Sequence, residues 1–386
     1  MSETLINPGI VQWAADRAKV NDVSLAKTLG VRFEKLQAWF VGEFRPTFLQ
    51  ARKLAKALRI PFGYLYLQHP PEEPLPIPDL RTVGDHITAI ISPDLRDVLN
   101  DALRKQSWYR DYLRDHGEGP LPFIGRYTPA APVEEVAADI TRILELFLQH
   151  RKAARNWEEF LRILMERAEV AGIWVMRNGV VANNTHRPLN IHEFRGFTIC
   201  DSVAPLVFIN GKDAKAAQIF TLIHELAHLW IGQSGISDLS LALPHEYDHL
   251  QVERFCNSVA AEVLAPAAEF QNQWQPQTQF SENLEQAACY FRVSSVVAAR
   301  RAYDLKLVSW QEYFEFYQMQ AALWRKATAG GGGSYYRNIR VRNGPLFTEA
   351  VLTSAKERRL LLRDAGRLLN VNPAKINRLA REIGLG

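Results

Sequence analysis

Residues 205–230 read PLVFINGKDAKAAQIFTLIHELAHLW, and this segment is the most informative one for the fold. An apolar run, Pro205 to Asn210, predicts a buried strand because it is short and rich in β-branched and aromatic residues. Apolar positions then recur at helical spacing from about Lys212 to Ile231. We therefore expect a strand that leads directly into a helix with a strongly apolar face.

That helix contains the motif HExxH at residues 224–228. Residues i and i+4 share one face of a helix, so His224 and His228 can bind one zinc ion, with Glu225 beside them as general base for a metal-bound water. From composition alone, about 0.02 such motifs are expected in a chain of this length. The alternative is a surface helix with two solvated histidines, but ionisable groups in so apolar a stretch would be costly to bury unpaired.

A catalytic zinc site needs a third protein ligand and an open position for water. Glu253 lies twenty-five residues after His228, on the next predicted helix, and it is our candidate. Glu262 competes with it from nine residues further on, and His245 and His249 are other candidates in the preceding loop and at the helix start. For any one of these residues the plain alternative is solvation or packing.

The run from Pro205 to Trp230, followed by ERFCNSVAAEVLAP at residues 253–266, resembles the ImmA/IrrE family of metallopeptidases. The resemblance spans about residues 130–330 and implies a zincin-like core on a small sheet. It implies that Zn²⁺ or a similar divalent ion is held by His224, His228 and Glu253, with Glu225 as catalytic acid and base. Members cleave bacterial repressors of the helix-turn-helix class. Cys256 stands where alanine is usual, and we interpret it as a buried apolar group.

Composition places the chain among ordinary globular proteins of two or three domains, with 386 residues, 23% charged residues and 47% hydrophobic residues. No apolar run approaches the ~18–20 residues that cross a bilayer, and no signal-peptide core is present in the first twenty residues. The three cysteines form no CxxC pair, which indicates a reducing cytosol and predicts a cytoplasmic protein without membrane contact.

Net positive charge is concentrated at the two ends of the chain. Residues 1–63 hold ten Lys/Arg against five Asp/Glu, and residues 335–386 hold eleven against four, whereas the whole chain has a net charge of only +4. Basic ends around an acidic middle suggest a polyanionic partner such as nucleic acid. Solvated helical surfaces would give the same pattern.

Residues 25–42 have the periodicity of a helix-turn-helix. Leu25, Ala26 and Leu29 form one apolar face, Gly30 makes the turn, and a second helix over about 32–40 follows. Its outward Arg32, Lys35 and Gln37 suit bases or phosphates, although a small helical bundle would look similar. Residues 8–60 as a whole resemble the XRE (Cro/repressor-like) family, with Phe40 in place of the usual acidic residue after the tryptophan.

The expected fold class is α+β and mostly helical, with an N-terminal five-helix DNA-binding domain, a zincin-like core and a helical tail. We expect a helix-turn-helix domain at 1–69, a proline-rich connector and linking helix at 70–130, a metallopeptidase domain at 131–329, and a Gly-rich linker with a basic tail at 330–386. The tail, from Arg358 to Arg381, could contact nucleic acid, dock a partner or be solvated.

Fused proteins of this pattern resemble antitoxins of toxin–antitoxin operons, commonly beside a PIN-like ribonuclease toxin. Two functions follow as expectations. The first is a DNA-binding regulator, able to act as a homodimer on its own operator, whose zinc-dependent endopeptidase cleaves a regulatory protein or itself. The second is a non-proteolytic antitoxin and autorepressor with a structural or vestigial metal site. For proteolysis we expect the strand at 205–210 to bind substrate as a sheet edge. Arg195 and Tyr247 are candidate oxyanion donors, with a plain surface position as the alternative for each.

Overall fold

A computed structural model of the protein describes residues 4–18, 20–80, 91–237, 251–324 and 335–385. These divide into two compact units, one made of residues 4–76 and 91–99, the other of residues 77–80 and the described residues from 100 onward. Within the described ranges no helix is long and apolar enough to cross a membrane. The structure is mostly helical with one small sheet, which confirms the α+β expectation at that level.

The first unit is a small helical bundle. Its helices are α1 (Pro8–Ala18), α2 (Asp22–Leu29), α3 (Phe33–Val41) and α4 (Phe48–Ala57), followed by a 3₁₀ helix (Phe62–Tyr66) and the first turns of α5 (Pro93–Asp115). Asn21 caps α2 by accepting hydrogen bonds from two backbone amides, and Gly30 ends α2 in the left-handed region with φ 68°. Trp39 is fully buried at the centre of the bundle.

The second unit surrounds the sheet with helices. Before the sheet come α6 (Val133–Ile143), α7 (Leu148–Ala153) and α8 (Trp157–Val170). Among and after the strands lie α9 (Lys215–Trp230), α10 (Gln251–Leu264), α11 (Ala267–Gln273), α12 (Phe280–Phe291), α13 (Ser295–Asp304) and α14 (Trp310–Trp324). The tail contains α15 (Tyr335–Asn343), α16 (Pro345–Lys356), α17 (Leu362–Leu369), a 3₁₀ helix (Pro373–Lys375) and α18 (Ile376–Glu382).

The sheet has four described strands in the order β1-β3-β2-β4: β1 (Trp174–Asn178), β2 (Gly196–Ile199), β3 (Leu206–Asn210) and β4 (Gly235–Ser237). β1 is parallel to β3, and the β3–β2 and β2–β4 pairs are antiparallel. Every residue of β3 is buried, as expected for a strand covered on both faces. The expectation that 205–210 forms a sheet edge is therefore wrong, because β1 and β2 both pair with this strand.

The tail packs against β1, which is an edge strand of the described sheet. Asn343 accepts a hydrogen bond from the buried Lys105 Nζ at 2.8 Å through its side chain, and one from Trp174 Nε1 at 2.6 Å through its backbone. Phe347 stacks on Trp174 with ring centroids 4.5 Å apart. Gly344 has φ +80°, and a Cβ there would lie 2.6 Å from the Val175 carbonyl oxygen, so only glycine fits this approach. The start of the tail is thus part of the core of the second unit.

Candidate metal centre

The core of the second unit brings the HExxH helix and the following helix together. α9 is almost entirely buried, and its His224, Glu225 and His228 are all 0% exposed. α10 packs against α9 and contributes Glu253, which is 6% exposed. Apolar neighbours such as Leu226 and Val259 fill the same cluster. Four ionisable side chains are therefore held in a low-dielectric interior, where they need partners.

His224, His228 and Glu253 meet at one point. His224 Nε2 lies 3.2 Å from one carboxylate oxygen of Glu253, and His228 Nε2 lies 3.1 Å from the other. The two Nε2 atoms are 3.1 Å apart. Ligands about 2.0 Å from a tetrahedral zinc ion lie roughly 3.3 Å from one another. The spacing of these donors therefore fits a small divalent ion, and two imidazoles with one carboxylate are a typical ligand set for catalytic zinc.

A hydrogen bond to Asn257 on α10 orients the imidazole of His224. Its Nδ1 lies 3.0 Å from Asn257 Oδ1, and an amide oxygen can only accept, so Nδ1 carries the proton. The lone pair is then on Nε2, the atom that faces His228 and Glu253. This is how metal-binding histidines are usually oriented. Asn257 was not among the predicted site residues, although its position four residues after Glu253, on the same helix face, was a usable signal.

Glu225 lies beside this cluster with its own support. The Thr198 hydroxyl, on β2, is 2.8 Å from Glu225 Oε2 and 2.9 Å from the Glu225 backbone oxygen. Gly196 of the same strand leaves room for the carboxylate, since a Cβ there would lie 2.7 Å from Oε1. Oε1 is buried and makes no hydrogen bond of normal geometry among the described residues, although the Ser237 hydroxyl also favours the charged carboxylate. The arrangement leaves one carboxylate oxygen available for proton transfer.

The two acids differ in electrostatics. Burial raises the pKa of Glu225 to about 7, although the nearby His228 and the Thr198 hydrogen bond favour its charged form. Burial also acts to raise the pKa of Glu253, but its contacts with His224 and His228 lower that pKa to about 2. Glu253 is therefore a permanent anion at neutral pH, as a metal ligand must be.

The competing candidates have other contacts. Glu262 pairs with Arg301 and accepts a hydrogen bond from the Ala267 amide, so it joins α10 to α11 and α13. Arg195 pairs with Asp213 at 3.3 Å. Cys256 is fully buried in the core cluster, where burial raises the pKa of its thiol. His245, Tyr247 and His249 lie outside the described residues.

The residues expected to bind DNA lie on the first unit. Arg32 and Lys35 are exposed, at the start and on the outer face of α3. Gln37 is half-buried, and its Nε2 donates to Asp22 Oδ2 at 2.8 Å, so its amide joins α3 to α2. Arg32 and Lys35 are thus available to a partner, whereas Gln37 must first give up an internal hydrogen bond.

Comparison with protein families gives two matches. Residues 168–303 match the IrrE N-terminal-like domain, and residues 343–382 match a domain of unknown function, DUF8813. The first match contains the four described strands, the HExxH helix and Glu253, and it supports the ImmA/IrrE part of the resemblance. No curated protein and no solved structure matches the chain. The resemblance of residues 8–60 to the XRE family stays a prediction.

Proposed function

We propose that this protein is a zinc-dependent endopeptidase of the ImmA/IrrE kind that acts as a DNA-binding regulator. The convergence of His224, His228 and Glu253 in a buried cluster, with Glu225 beside it, carries the proposal. His224, His228 and Glu253 would hold the ion. A bound zinc ion makes water more acidic and polarises the carbonyl to be cleaved.

The protein's own groups have separate tasks in amide hydrolysis. Glu225 accepts the proton of the attacking water through Oε1 and delivers it to the leaving amine. Thr198 holds the other carboxylate oxygen, and Asn257 holds the imidazole of His224. The apolar cluster around α9 excludes bulk water from the base. The substrate we propose is a regulatory protein or the chain itself, cut in the partly exposed Pro70–Pro78 connector or at the linker 330–333, which lies outside the described residues.

The first unit is proposed to bring this activity to DNA, at the operator of the protein's own operon and as a homodimer. α2, the Gly30 turn and α3 have the order and lengths of a helix-turn-helix, and Arg32 and Lys35 are exposed on α3. In that setting the proposed protein partner is a toxin of the PIN-like ribonuclease class. The operon setting rests on the resemblance of the fused chain to antitoxins.

Two substitutions test the enzyme. We expect the purified protein to hold about one zinc-class ion, and His228→Ala to lose it, because a ligand is removed. Glu225→Gln should keep the ion and abolish hydrolysis, because the base is not a ligand. Elemental analysis measures the metal content. Hydrolysis is measured by detecting fragments after incubation with the protein encoded by the neighbouring gene, and fragments of the chain itself. The exposed His192 provides a matched control, as His192→Ala should change neither.

The outcomes separate the two functions. Unchanged metal content in His228→Ala would reject the ligand assignment. If wild type and Glu225→Gln neutralise a toxin equally and neither yields fragments, the protein acts by binding and proteolysis is dispensable for that task.

A further inference from the structure

The outer side of β4 is covered by the chain's own connector. Ile236 donates its backbone N–H to the Pro78 carbonyl at 3.1 Å, and Leu80 donates its N–H to the Ile236 carbonyl at 3.1 Å. Asp79 forms a parallel bridge with Ile236. Residues 78–80 therefore act as a short extra strand, which we call the strap, beside the outermost strand of the described sheet.

β4 is the strand edge that lies at the proposed metal centre. Ser237 is paired with Gly196, the residue beneath the Glu225 carboxylate, and Ser237 Oγ lies 3.5 Å from His228 Nε2. Side chains at i and i+2 of a strand share one face. Gly235 therefore faces the same side as Ser237, toward the cluster of α9.

Leu80 covers that same face. A Cβ on Gly235 would lie 2.6 Å from Leu80 Cγ, so the leucine occupies the space that a side chain at 235 would need. The strap thus has the two features of a bound extended peptide: backbone pairing with an edge strand, and a side chain placed in a site on the functional face.

We propose that β4 is the peptide-docking edge of the metal centre, that it takes extended segments with an aliphatic side chain at the Leu80 site, and that the strap occupies it in the resting chain. This inference rests on the proposed endopeptidase function. A substrate must displace the strap before it can lie beside Ser237 and the ligands.

The proposal requires the strap to exchange with a substrate segment. Within the described part of the chain, two backbone hydrogen bonds join it to β4, Leu80 is half-buried, and the proline at 78 cannot donate. A tethered segment of this kind nevertheless competes well, because linkage gives it an effective concentration in the millimolar range. A free peptide of modest affinity is therefore excluded until the strap leaves.

The test is peptide binding to the full chain in the Glu225→Gln background, which prevents cleavage. The probe is a fluorescent, C-terminally amidated peptide of residues 73–80, EPLPIPDL. We expect weak binding to the unaltered strap and at least about tenfold tighter binding when Leu80→Ala weakens it. Leu75→Ala, in the same connector but before the paired residues, is the matched control and should leave the affinity unchanged. A probe with aspartate in place of its leucine at 80 should not bind to any variant.

Hydrogen exchange provides an independent readout. In Leu80→Ala the Ile236 amide should exchange faster, and addition of the probe should restore its protection. A second variant, Gly235→Ala, attacks the contact from the other side, since its new methyl group displaces Leu80. The Ile236 amide should again exchange faster. Addition of the probe should not restore its protection, because the new methyl group also blocks the leucine of the probe.

The proposal is overturned if Leu80→Ala and Leu75→Ala bind the probe equally, or if the Ile236 amide keeps its protection in both Leu80→Ala and Gly235→Ala. Neither readout requires hydrolysis. Failure of the proposed enzyme function would appear instead in metal content and fragments, so the two failures can be told apart.

Discussion

At the residue scale, the proposed metal centre includes side chains that support the candidate ligands without being ligands themselves. Asn257 is the clearest, because it fixes the proton on Nδ1 of His224 and so points the Nε2 lone pair at His228 and Glu253. In metal sites such outer partners typically contribute 10–100-fold in affinity.

We therefore predict that Asn257→Leu lowers zinc affinity by roughly 10–100-fold without unfolding the protein, because the imidazole loses its orientation. Competition with a chromophoric chelator measures the affinity. Ser258→Ala, one position further along α10, is the control and should bind zinc as the wild type does. Equal affinity for Asn257→Leu and Ser258→Ala would show that the amide has no positioning role.

At the scale of elements, a buried acid links α8 to β1 and the tail. Glu169, in the last turn of α8, is 8% exposed. It accepts hydrogen bonds from the backbone amides of Val175 and Leu346, and burial raises its pKa to about 8. Because the folded-state pKa is raised, the group stabilises the fold fully below its unfolded value of about 4.5, and that stabilisation disappears as pH rises toward 8.

From this we predict that the free energy of unfolding falls with pH between about 5 and 8, by up to about 1.4 kcal/mol per pH unit from this group. Glu169→Gln keeps the shape without the charge, so it should flatten the slope and be more stable than wild type above about pH 8. Urea unfolding at several pH values measures this. Glu166→Gln, one turn earlier and exposed, should keep the wild-type slope. If Glu169→Gln does not change how the free energy of unfolding varies with pH, that pH dependence comes from other groups.

At the scale of the whole molecule, the chain combines a basic helical unit with a unit that contains the proposed metal centre. The basic ends are not equivalent, because the start of the tail is built into the second unit through Asn343 and Phe347. Arg32 and Lys35 remain exposed on the first unit. Arg358, Arg359 and Arg363 of the tail are exposed as well, so the order of α2, the Gly30 turn and α3, rather than exposure, is what favours the first unit as the candidate for binding nucleic acid.

We predict that the protein protects a site in its own promoter, with affinity that falls steeply as salt rises. Replacing Arg32 and Lys35 together by alanine should weaken binding by roughly 1–3 kcal/mol for each base that these side chains recognise. Footprinting and salt titration measure this. Replacing Arg155 and Arg162 removes the same charge from the second unit and should have little effect. A footprint that is unchanged without Arg32 and Lys35 would identify the first unit as a packing bundle.

Local sequence was enough to predict the main elements and much of the candidate centre. The 3.6-residue period of 212–231, the apolar run 205–210 and the HExxH spacing are local properties, and the structure has α9 and β3 where they were expected. His224 and His228 lie together because helix geometry alone places i and i+4 on one face. Glu253 is preferred over Glu262 on two grounds: the apolar neighbours of Glu262, such as Ala260 and Val263, indicate packing, and the family resemblance implies Glu253.

Contacts between residues that are far apart in the sequence could be learned only from the folded structure. Strand order depends on long-range pairing, so β3 became a central strand and β4, with three residues, went unpredicted. Thr198 and Glu225, or Leu80 and Gly235, are far apart in sequence and carry no local sign of contact. The strap exists because β4 leaves unpaired backbone groups at an edge, and such groups are satisfied by whichever segment the fold brings to them.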